Sequence, residues 1–332
     1  MTIRTDISDA YIAIGRNGED YARFGGDTSG QLAGFRNVLI NGGFDIVQRG
    51  EYFTTGGYSF DRWFLYNPTN SVVSRIDVGA TYGSKALSIY VSNATNIGSI
   101  EQPIENDKCR FLAGKKATLS FWCSASASGG TITAAIFKNS TKDSLNTGVW
   151  NQIGTKSVSV LGLQKIILTV DIPADGSAEG LMPIISWSNL TSGATSYIWN
   201  VQLEEGSIAT KFENRPIGIE LALCQRYLPA WSALGANQTI ATGMCYSTTN
   251  AIINLPFKVT PRVSPTGLSY IGGMAILNAG ASGVNISSVA SFNNASMEVL
   301  QMICQVAAGL VAGNSTTLLG TNLTILANGC EL

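Results

Sequence analysis

The sequence predicts an all-β protein, in which an extended N-terminal arm precedes a jelly-roll β-sandwich, a short linking helix and a smaller C-terminal β-sandwich. Three observations predict this class: apolar and polar residues alternate in many short segments, Gly is abundant at 36 residues, and a single segment, the linking helix, has helical spacing. Short alternating segments separated by turn residues are typical of sandwiches and jelly rolls. A chain of 332 residues also exceeds one hydrophobic core, which indicates at least two domains.

Residues 1–36 are predicted to form the arm. They carry nine charged residues, about twice the density of the whole chain, and within them only residues 11–14 read as a strand. Such a segment cannot bury a core of its own, so we expect a partner to order it.

Residues 37–214 are predicted to form the jelly roll, because strand-like alternation recurs throughout them. Trp122 and Trp199 lie in the most regular segments and are expected in the core. Two motifs are expected to shape the backbone: Asn41-Gly42-Gly43 as a turn or bulge with positive φ, and Asp61-Arg62-Trp63 as a packing corner rather than a binding site. In the clearest strand, Tyr197, Trp199, Val201 and Leu203 are expected on one face, and Ser196, Asn200 and Gln202 on the other.

Residues 215–229 are predicted to form the linking helix, and residues 230–332 the C-terminal β-domain. Pro216 suits a first helical turn and Pro229 ends the helix. The apolar stripe either packs on a neighbouring sheet or forms a seam between identical helices around a symmetry axis. Its members recur at intervals of 4, 3 and 4 residues: Ile217, Leu221, Cys224 and Leu228.

The composition excludes several classes of function. The chain has no His, which removes Ser-His-Asp and Cys-His pairs and H-E-x-x-H zinc sites. Lys plus Arg is 21 against 22 Asp plus Glu, without a basic cluster, so nucleic acid is not an expected partner. The longest apolar stretch, residues 299–313, is shorter than the ~20 residues that cross a bilayer, so no membrane insertion is expected.

The six cysteines are expected to be buried free thiols. No C-x-x-C pair occurs among them, so neither a zinc site nor a redox motif is indicated. The N-terminal residues lack the apolar core of a signal peptide, which predicts folding in a reducing cytoplasm.

Four stretches resemble bacteriophage tail-fibre and receptor-binding proteins that carry a carbohydrate-binding-module-like jelly roll. The first is NVLINGGFDIVQRG at 37–50 with FDRW at 60–63, and the second is KATLSFW at 116–122. The third and most specific is WNVQLEEG at 199–206, continued by TKF at 210–212 and LCQRY at 223–227. The fourth and looser one is LPFKVTPR at 255–262 with NGCEL at 328–332.

The resemblance implies a structural virion protein, assembled in the host cytoplasm, that binds a host cell-surface polysaccharide without catalysis. It also implies a homotrimer whose residues 1–36 attach to a tail or baseplate protein and whose residues 230–332 form the receptor-binding tip. A structural calcium ion would be held by Asp45 and Asn200. Two oxygen donors fall short of the ~6 to 8 that calcium takes, so no cofactor is assigned and the metal site stays open.

The candidate ligand-binding residues offer two kinds of contact. Aromatic rings stack on the C–H faces of sugars, and small polar side chains hydrogen-bond their hydroxyls. Core packing remains the alternative for the aromatic residues, and simple hairpin turns for the polar ones. The aromatic candidates are Tyr58, Tyr66, Trp150 and Trp187, and the polar candidates in the C-terminal domain are Asn278, Ser282, Asn293 and Asn294.

A virion-associated glycan hydrolase or esterase is the alternative function. Without His, the available hydrolytic chemistry is a pair of carboxylates. No motif marks a catalytic carboxylate, and the jelly roll is followed directly by the helix and second domain, without the long β-helix that depolymerases similar to this family carry. A non-catalytic function is therefore favoured. The candidate carboxylates for such a pair are Glu101, Glu105, Glu204 and Glu205.

Overall fold

The computed structural model divides into two compact units and confirms the all-β class. Unit 1 comprises residues 1–45, 51–59 and 63–215, and unit 2 comprises residues 46–50, 60–62 and 216–332. The division at 215 lies one residue beyond the predicted end of the jelly roll, whereas the grouping of 46–50 and 60–62 with unit 2 was not predicted. The structure describes residues 2–6, 11–16, 19–25, 35–78, 85–127, 129–143, 149–160, 162–174, 179–278, 283–285 and 291–331.

The N-terminal segment carries three strands where the sequence indicated one. Strands β1 (Thr2–Asp6), β2 (Tyr11–Arg16) and β3 (Glu19–Gly25) form an antiparallel sheet in that order. Pairing with β2 satisfies the backbone N–H and C=O groups on the inward edges of β1 and β3 within the segment itself. The missed sequence signal is Asn17-Gly18 between β2 and β3, a dipeptide typical of two-residue hairpin turns.

Unit 1 contains two six-stranded antiparallel sheets. Sheet I has the order β13 (Gln164–Asp171), β10 (Lys116–Ala125), β15 (Thr195–Glu205), β8 (Lys85–Val91), β7 (Ser71–Asp77) and β4 (Tyr52–Phe53). Sheet II has the order β12 (Trp150–Ser159), β11 (Thr131–Asn139), β14 (Leu181–Ser188), β9 (Ile97–Glu101), β6 (Phe64–Thr69) and β5 (Gly57–Tyr58). A short helix, α1 (Asn106–Cys109), and a 3₁₀ turn (Arg110–Leu112) follow β9.

The core of unit 1 lies between the inner faces of these sheets. Leu119 and Phe121 on sheet I are buried, as are Ile185 and Trp187 on sheet II. The Trp187 indole N–H donates a hydrogen bond to Ser71 Oγ on sheet I at 3.1 Å, which joins the two sheets through the core. Each sheet therefore buries its inner face, as a sandwich requires.

A β-bulge in β15 changes which side chains face the core. Leu203 pairs with Leu119 and Trp199 pairs with Trp122, with a register shift between the two pairs. Because Leu119 and Trp122 lie on opposite faces of β10, Trp199 lies on the outer face although Leu203 lies on the inner one. The expectation that Tyr197 and Trp199 share a face with Val201 and Leu203 was wrong. Asn200, at the bulge, has a φ of 54°.

The Asn41-Gly-Gly motif serves close backbone approach. Positive φ occurs at Asn41 and Phe44, the residues on either side of the two glycines, rather than at the glycines. A Cβ atom on Gly42 would lie 2.0 Å from the Val201 carbonyl oxygen, and the Val201 N–H donates to the Gly42 carbonyl at 2.9 Å. Glycine is therefore required because this turn contacts the bulged strand directly.

The motif at 61–63 is buried at all three residues, as a packing corner requires. In unit 1, the Trp63 indole N–H donates to the Asn41 carbonyl at 3.0 Å. In unit 2, the Arg62 guanidinium lies 3.7 Å from the centroid of the Tyr227 ring, a cation–π contact.

Unit 2 begins with a helix and continues as one antiparallel sheet. Helix α2 (Ile217–Gln225) starts directly after Pro216, as predicted. It ends three residues before Leu228, the last residue of the predicted stripe. Within the stripe, Cys224 and Leu228 are buried but Ile217 is 61% exposed. The symmetry-axis seam stays a prediction.

The sheet of unit 2 encloses a core that includes Trp231, Ile253 and Met302. Its long strand β23 (Ser315–Asn328) pairs with β19 (Gly267–Asn278) along one side and with β16 (Ala230–Ala233) and β17 (Gln238–Cys245) along the other. The order is β20 (Gly283–Asn285), β19 (Gly267–Asn278), β23 (Ser315–Asn328), β17 (Gln238–Cys245), β18 (Asn250–Pro256), β22 (Val299–Gln305) and β21 (Ser291–Ala295), with β16 (Ala230–Ala233) on β23.

A buried ionic cluster lies within unit 2. Arg49 Nη1 donates to Glu331 Oε1 at 3.0 Å, and Arg49 Nη2 contacts the second carboxylate oxygen. Asp61 accepts hydrogen bonds from the Gln48 backbone N–H and side-chain amide at 2.6 and 3.1 Å. Burial raises the pKa of both Asp61 and Glu331, and Arg49 lowers each pKa in part.

All six cysteines are buried free thiols, as predicted. Burial raises the pKa of Cys109 and Cys304 to about 12 and that of Cys123 and Cys330 to about 11. In the described part of the chain, no helix is long and apolar enough to cross a membrane.

Candidate functional site

The outer face of sheet II carries a row of hydroxyl groups. Directly paired residues of antiparallel strands share one face, and one Ser, Thr or Tyr occupies the same row on each of five adjacent strands. Four inter-strand spacings of about 4.8 Å make this row about 19 Å long. Its members, in order from β6 to β12, are Tyr66, Ser99, Ser186, Thr133 and Ser157.

The neighbouring row contains a carboxylate. Glu101 pairs with Phe64 on one side and Ile184 on the other, and its Oε1 accepts a hydrogen bond from Ser99 Oγ at 2.9 Å. Burial raises the pKa of Glu101, and the bond from Ser99 lowers it in part. The Glu101 carboxylate is therefore a hydrogen-bond acceptor beside the hydroxyl row, and the Ser99 hydroxyl fixes its position.

Aromatic rings lie at the β5–β6 end of this face. Tyr66 is 59% exposed. Tyr58 pairs with Phe64, and the two rings meet edge to face with centroids 5.3 Å apart.

This surface, which we call the hydroxyl face, offers an exposed ring for stacking, hydroxyls on Ser186, Thr133 and Ser157, and one carboxylate that accepts. These are the groups that hydrogen-bond and stack on a sugar. Ser99 is buried beneath the hydroxyl face, and the Thr133 and Ser157 hydroxyls hydrogen-bond each other at 2.8 Å.

The structure brings Tyr58 and Tyr66 together but separates the other two aromatic candidates from them. Trp150 pairs with Asn139 on the outer face of edge strand β12, six residues along β11 from the Thr133 row, so it lies at the opposite corner of the sheet. Trp187 corrects the sequence interpretation: it is buried on the inner face and exposes no ring to a ligand. Its neighbour Ser186 is the residue that reaches the hydroxyl face.

One polar candidate of unit 2, Asn293, belongs to a ladder of hydrogen-bonded side-chain amides. Asn293 Nδ2 donates to Gln301 Oε1 at 2.6 Å, and Gln301 Nε2 donates to Asn254 Oδ1 at 3.0 Å. Asn294 is exposed on the same strand. Asn278 ends β19, with its side chain not described, and Ser282 lies outside the described residues.

The acidic candidates do not gather on one surface. Glu204 is buried on sheet I, where it accepts bonds from Gln202 Nε2 at 2.8 Å and Thr210 Oγ1 at 2.6 Å. Glu205 pairs with Lys115 at 2.9 Å. Glu105 is buried just before α1. The row that contains Glu101, all of it within the described residues, holds no second carboxylate.

The residues expected to hold calcium, Asp45 and Asn200, are not joined by a cluster of further acidic ligands in the described residues. Among the residues that the structure describes, no group of three or more His, Cys, Asp or Glu is placed to hold a metal ion. Asn200 lies at the bulge of β15, and the Asp45 carbonyl accepts a hydrogen bond from Arg75 Nη1 at 3.0 Å.

Comparisons with known proteins gave matches among solved structures. No protein-family model matches the chain, and no curated protein matches it significantly. Its structural neighbours include carbohydrate-binding modules. One is TmCBM61, solved in complex with β-1,4-galactotriose, at 17% identity and a TM-score of 0.35, covering 52% of this chain and 99% of that one. Another is the C-terminal family 22 module of Clostridium thermocellum Xyn10B, at 17% identity and a TM-score of 0.32, covering 48% and 97%.

A phage protein is also among the structural neighbours. The enzymatically active domain of bacteriophage CBA120 tailspike protein 4 matches at 16% identity and a TM-score of 0.33. The match covers 52% of this chain and 24% of the tailspike.

Proposed function

We propose that the hydroxyl face binds a host cell-surface polysaccharide and that the protein is a non-catalytic phage tail fibre located in the virion. The observation that carries the binding proposal is the row of five hydroxyl side chains bordered by Glu101 and ending at exposed Tyr66. The sequence had placed recognition in residues 230–332, and this proposal moves it to the jelly roll.

The shape of the face favours an extended glycan over a single sugar. Its polar groups run across five strands for about 19 Å. Each contact is a single hydroxyl or ring edge, so affinity would come from several sugar units together. Three copies of the chain in a homotrimer would strengthen weak single-site binding through avidity.

The single carboxylate of this row supports binding without cleavage. Glycosidases use two carboxyl groups, about 5–5.5 Å apart in retaining enzymes and about 6.5–9.5 Å apart in inverting ones. Within its row Glu101 stands beside Phe64 and Ile184 rather than a second acid. One acceptor can hold a sugar hydroxyl but cannot supply both catalytic roles.

The tail-fibre part of the proposal rests on the resemblance at 37–50 and 199–206. These two stretches contact each other in unit 1: the Val38 N–H donates to the Leu203 carbonyl at 2.8 Å, and the Val201 N–H donates to Gly42. Residues 38–42 of the first stretch and residues 201–203 of the third, most specific stretch thus lie side by side in unit 1. We extend it to a homotrimer in which residues 1–36 attach to a tail or baseplate protein.

Replacing Tyr66 by Ala is expected to weaken polysaccharide binding about tenfold, because the exposed ring is lost from the end of the row. Affinity electrophoresis through gels that contain purified host polysaccharide would measure the change. Tyr52→Ala is the matched control, since Tyr52 is 66% exposed but lies on sheet I. Equal losses in both variants would contradict the site. Shortened polysaccharide after incubation with the native protein would instead indicate a hydrolase.

Deleting residues 1–36 is expected to leave a soluble, folded trimer that no longer joins virions. The strands β1 to β3 pair only with one another in the described sheet, so the two jelly-roll sheets keep all their strands without them. Light scattering would give the oligomeric state, and immunoblotting of purified virions the incorporation. Virions that still carry the truncated chain would refute attachment through this segment.

A further inference from the structure

A second candidate site lies on the outer face of sheet I, the sheet opposite the hydroxyl face. An open pocket of about 290 Å³ is lined there by Ile76, Val78, Ser124, Leu163, Tyr197 and Trp199. The bulge in β15 creates it, because it turns Tyr197 and Trp199 outward. Without the bulge these two rings would share the inner face with Leu203.

The floor of this pocket is held in place by two stacked indoles. The rings of Trp122 and Trp199 lie 6.4 Å apart at an interplanar angle of 12°. They belong to directly paired positions on β10 and β15, so the stack is fixed by the backbone register. Trp199 is buried beneath the surface while Trp122 is half-buried. A rigid aromatic floor reduces the ordering that a ligand would have to impose.

The lining determines what the pocket can hold. Four of its six side chains are aliphatic or indole, and the side-chain hydroxyls of Ser124 and Tyr197 are the polar groups. A common hexose carries hydroxyls around its whole ring, and several would be buried here against carbon. A sugar with a methyl group would place that methyl against Leu163 and Ile76 and keep two polar contacts.

We propose that this pocket binds one methyl-bearing sugar unit, with the methyl group against its aliphatic wall. The methyl group can belong to a 6-deoxyhexose or to an acetamido sugar, and its apolar contact with the aliphatic wall is the same in both. A volume of about 290 Å³ is at the lower end of ligand pockets, which suits a single ring rather than an oligosaccharide. The site is separate from the hydroxyl face and does not depend on the function proposed for it.

The test uses two pairs of free sugars with the full-length protein, so that only one member of each pair carries a methyl group. L-Rhamnose is compared with L-mannose, and N-acetyl-D-glucosamine with D-glucose, by saturation-transfer NMR and titration. The methyl-bearing member of at least one pair is expected to bind about five- to tenfold more tightly than its partner, with the strongest saturation on its methyl protons. The pair that shows the difference identifies the source of the methyl group. Equal binding within both pairs, or none, would overturn the proposal.

Two surface variants locate the binding. Leu163→Ser removes part of the aliphatic wall and is expected to abolish the preference for the methyl-bearing sugar. Ile167→Ser is the matched control: Leu163 is 51% and Ile167 is 37% exposed, and Ile167 does not line the pocket. Tyr66→Ala is expected to leave binding of the methyl-bearing sugar in the pocket unchanged. A failure of the pocket proposal is therefore distinguishable from a failure of the hydroxyl-face proposal. A preference that survives Leu163→Ser would refute the location.

Discussion

Replacing Arg49 by Ala is expected to destabilise unit 2 by about 3–5 kcal/mol, the usual cost of leaving a buried charge without its partner. Arg49 holds both carboxylate oxygens of buried Glu331 and also lowers the pKa of buried Asp61. Without the guanidinium, two buried carboxylates remain near each other. Hydrogen exchange followed by mass spectrometry on peptides from residues 230–256 would report the stability of this unit.

The penalty for Arg49→Ala should depend on pH with a definite sign. Burial raises the folded-state pKa of Glu331 and Asp61, and removal of Arg49 raises both pKa values further. A carboxyl group with a raised pKa favours folding at low pH and loses that contribution as pH rises through its folded pKa. The penalty is therefore largest at neutral pH and shrinks towards pH ~4. Equal penalties at both pH values would contradict the burial argument.

Arg110→Ala provides the control for loss of an arginine. Arg110 lies 3.8 Å from Asp107, and both side chains are 69% exposed. Exposed pairs contribute about 0–1 kcal/mol, so little change in stability is expected at any pH.

Replacing Glu101 by Gln is expected to weaken polysaccharide binding about 10- to 100-fold, because hydrogen bonds to a charged acceptor contribute about 1.5–3 kcal/mol. Stability should be unchanged or slightly higher, since burial raises the pKa of Glu101 and the ionised form is therefore disfavoured by folding. Calorimetric titration with host polysaccharide and thermal unfolding of the same samples would measure both effects.

The same carboxylate predicts weaker binding in acid. As pH falls through the raised pKa of Glu101, the charged acceptor is lost and affinity should decline, whereas Glu101→Gln should show no such decline. Asp171→Asn is the control, because Asp171 is an exposed carboxylate on sheet I paired with Lys116 at 2.8 Å. A Glu101→Gln variant that binds normally but is less stable would assign Glu101 a structural role instead.

The strands and the helix start could be predicted because their signals are local. Alternation identified the strands around Leu119 and Ile132, and Pro216 marked the start of α2. The bulge at Asn200 could not be predicted by counting alternate residues. It is held by the contact between Val201 and Gly42, residues far apart in sequence, so strict alternation assigned Tyr197 and Trp199 to the wrong face.

The candidate site was predicted only where single residues stand out. Tyr58 and Tyr66 are conspicuous as aromatics, and the structure places both at one end of the hydroxyl face. A single small polar residue in a strand is common, so nothing in the sequence marks Ser99, Ser186 or Thr133. Only the order of the strands in sheet II shows that they share a row, and strand order is a long-range property of the fold.

The buried cysteines can report when each unit of this protein opens and exposes its core to water. A thiol reacts as the thiolate, and pKa values of about 11 to 12 leave almost none at neutral pH, so alkylation should require exposure of the thiol to water. Cys109 and Cys123 would report on unit 1, and Cys224, Cys304 and Cys330 on unit 2. Peptide mapping after slow alkylation would therefore time the opening of each unit separately, in the native sequence and without an introduced cysteine.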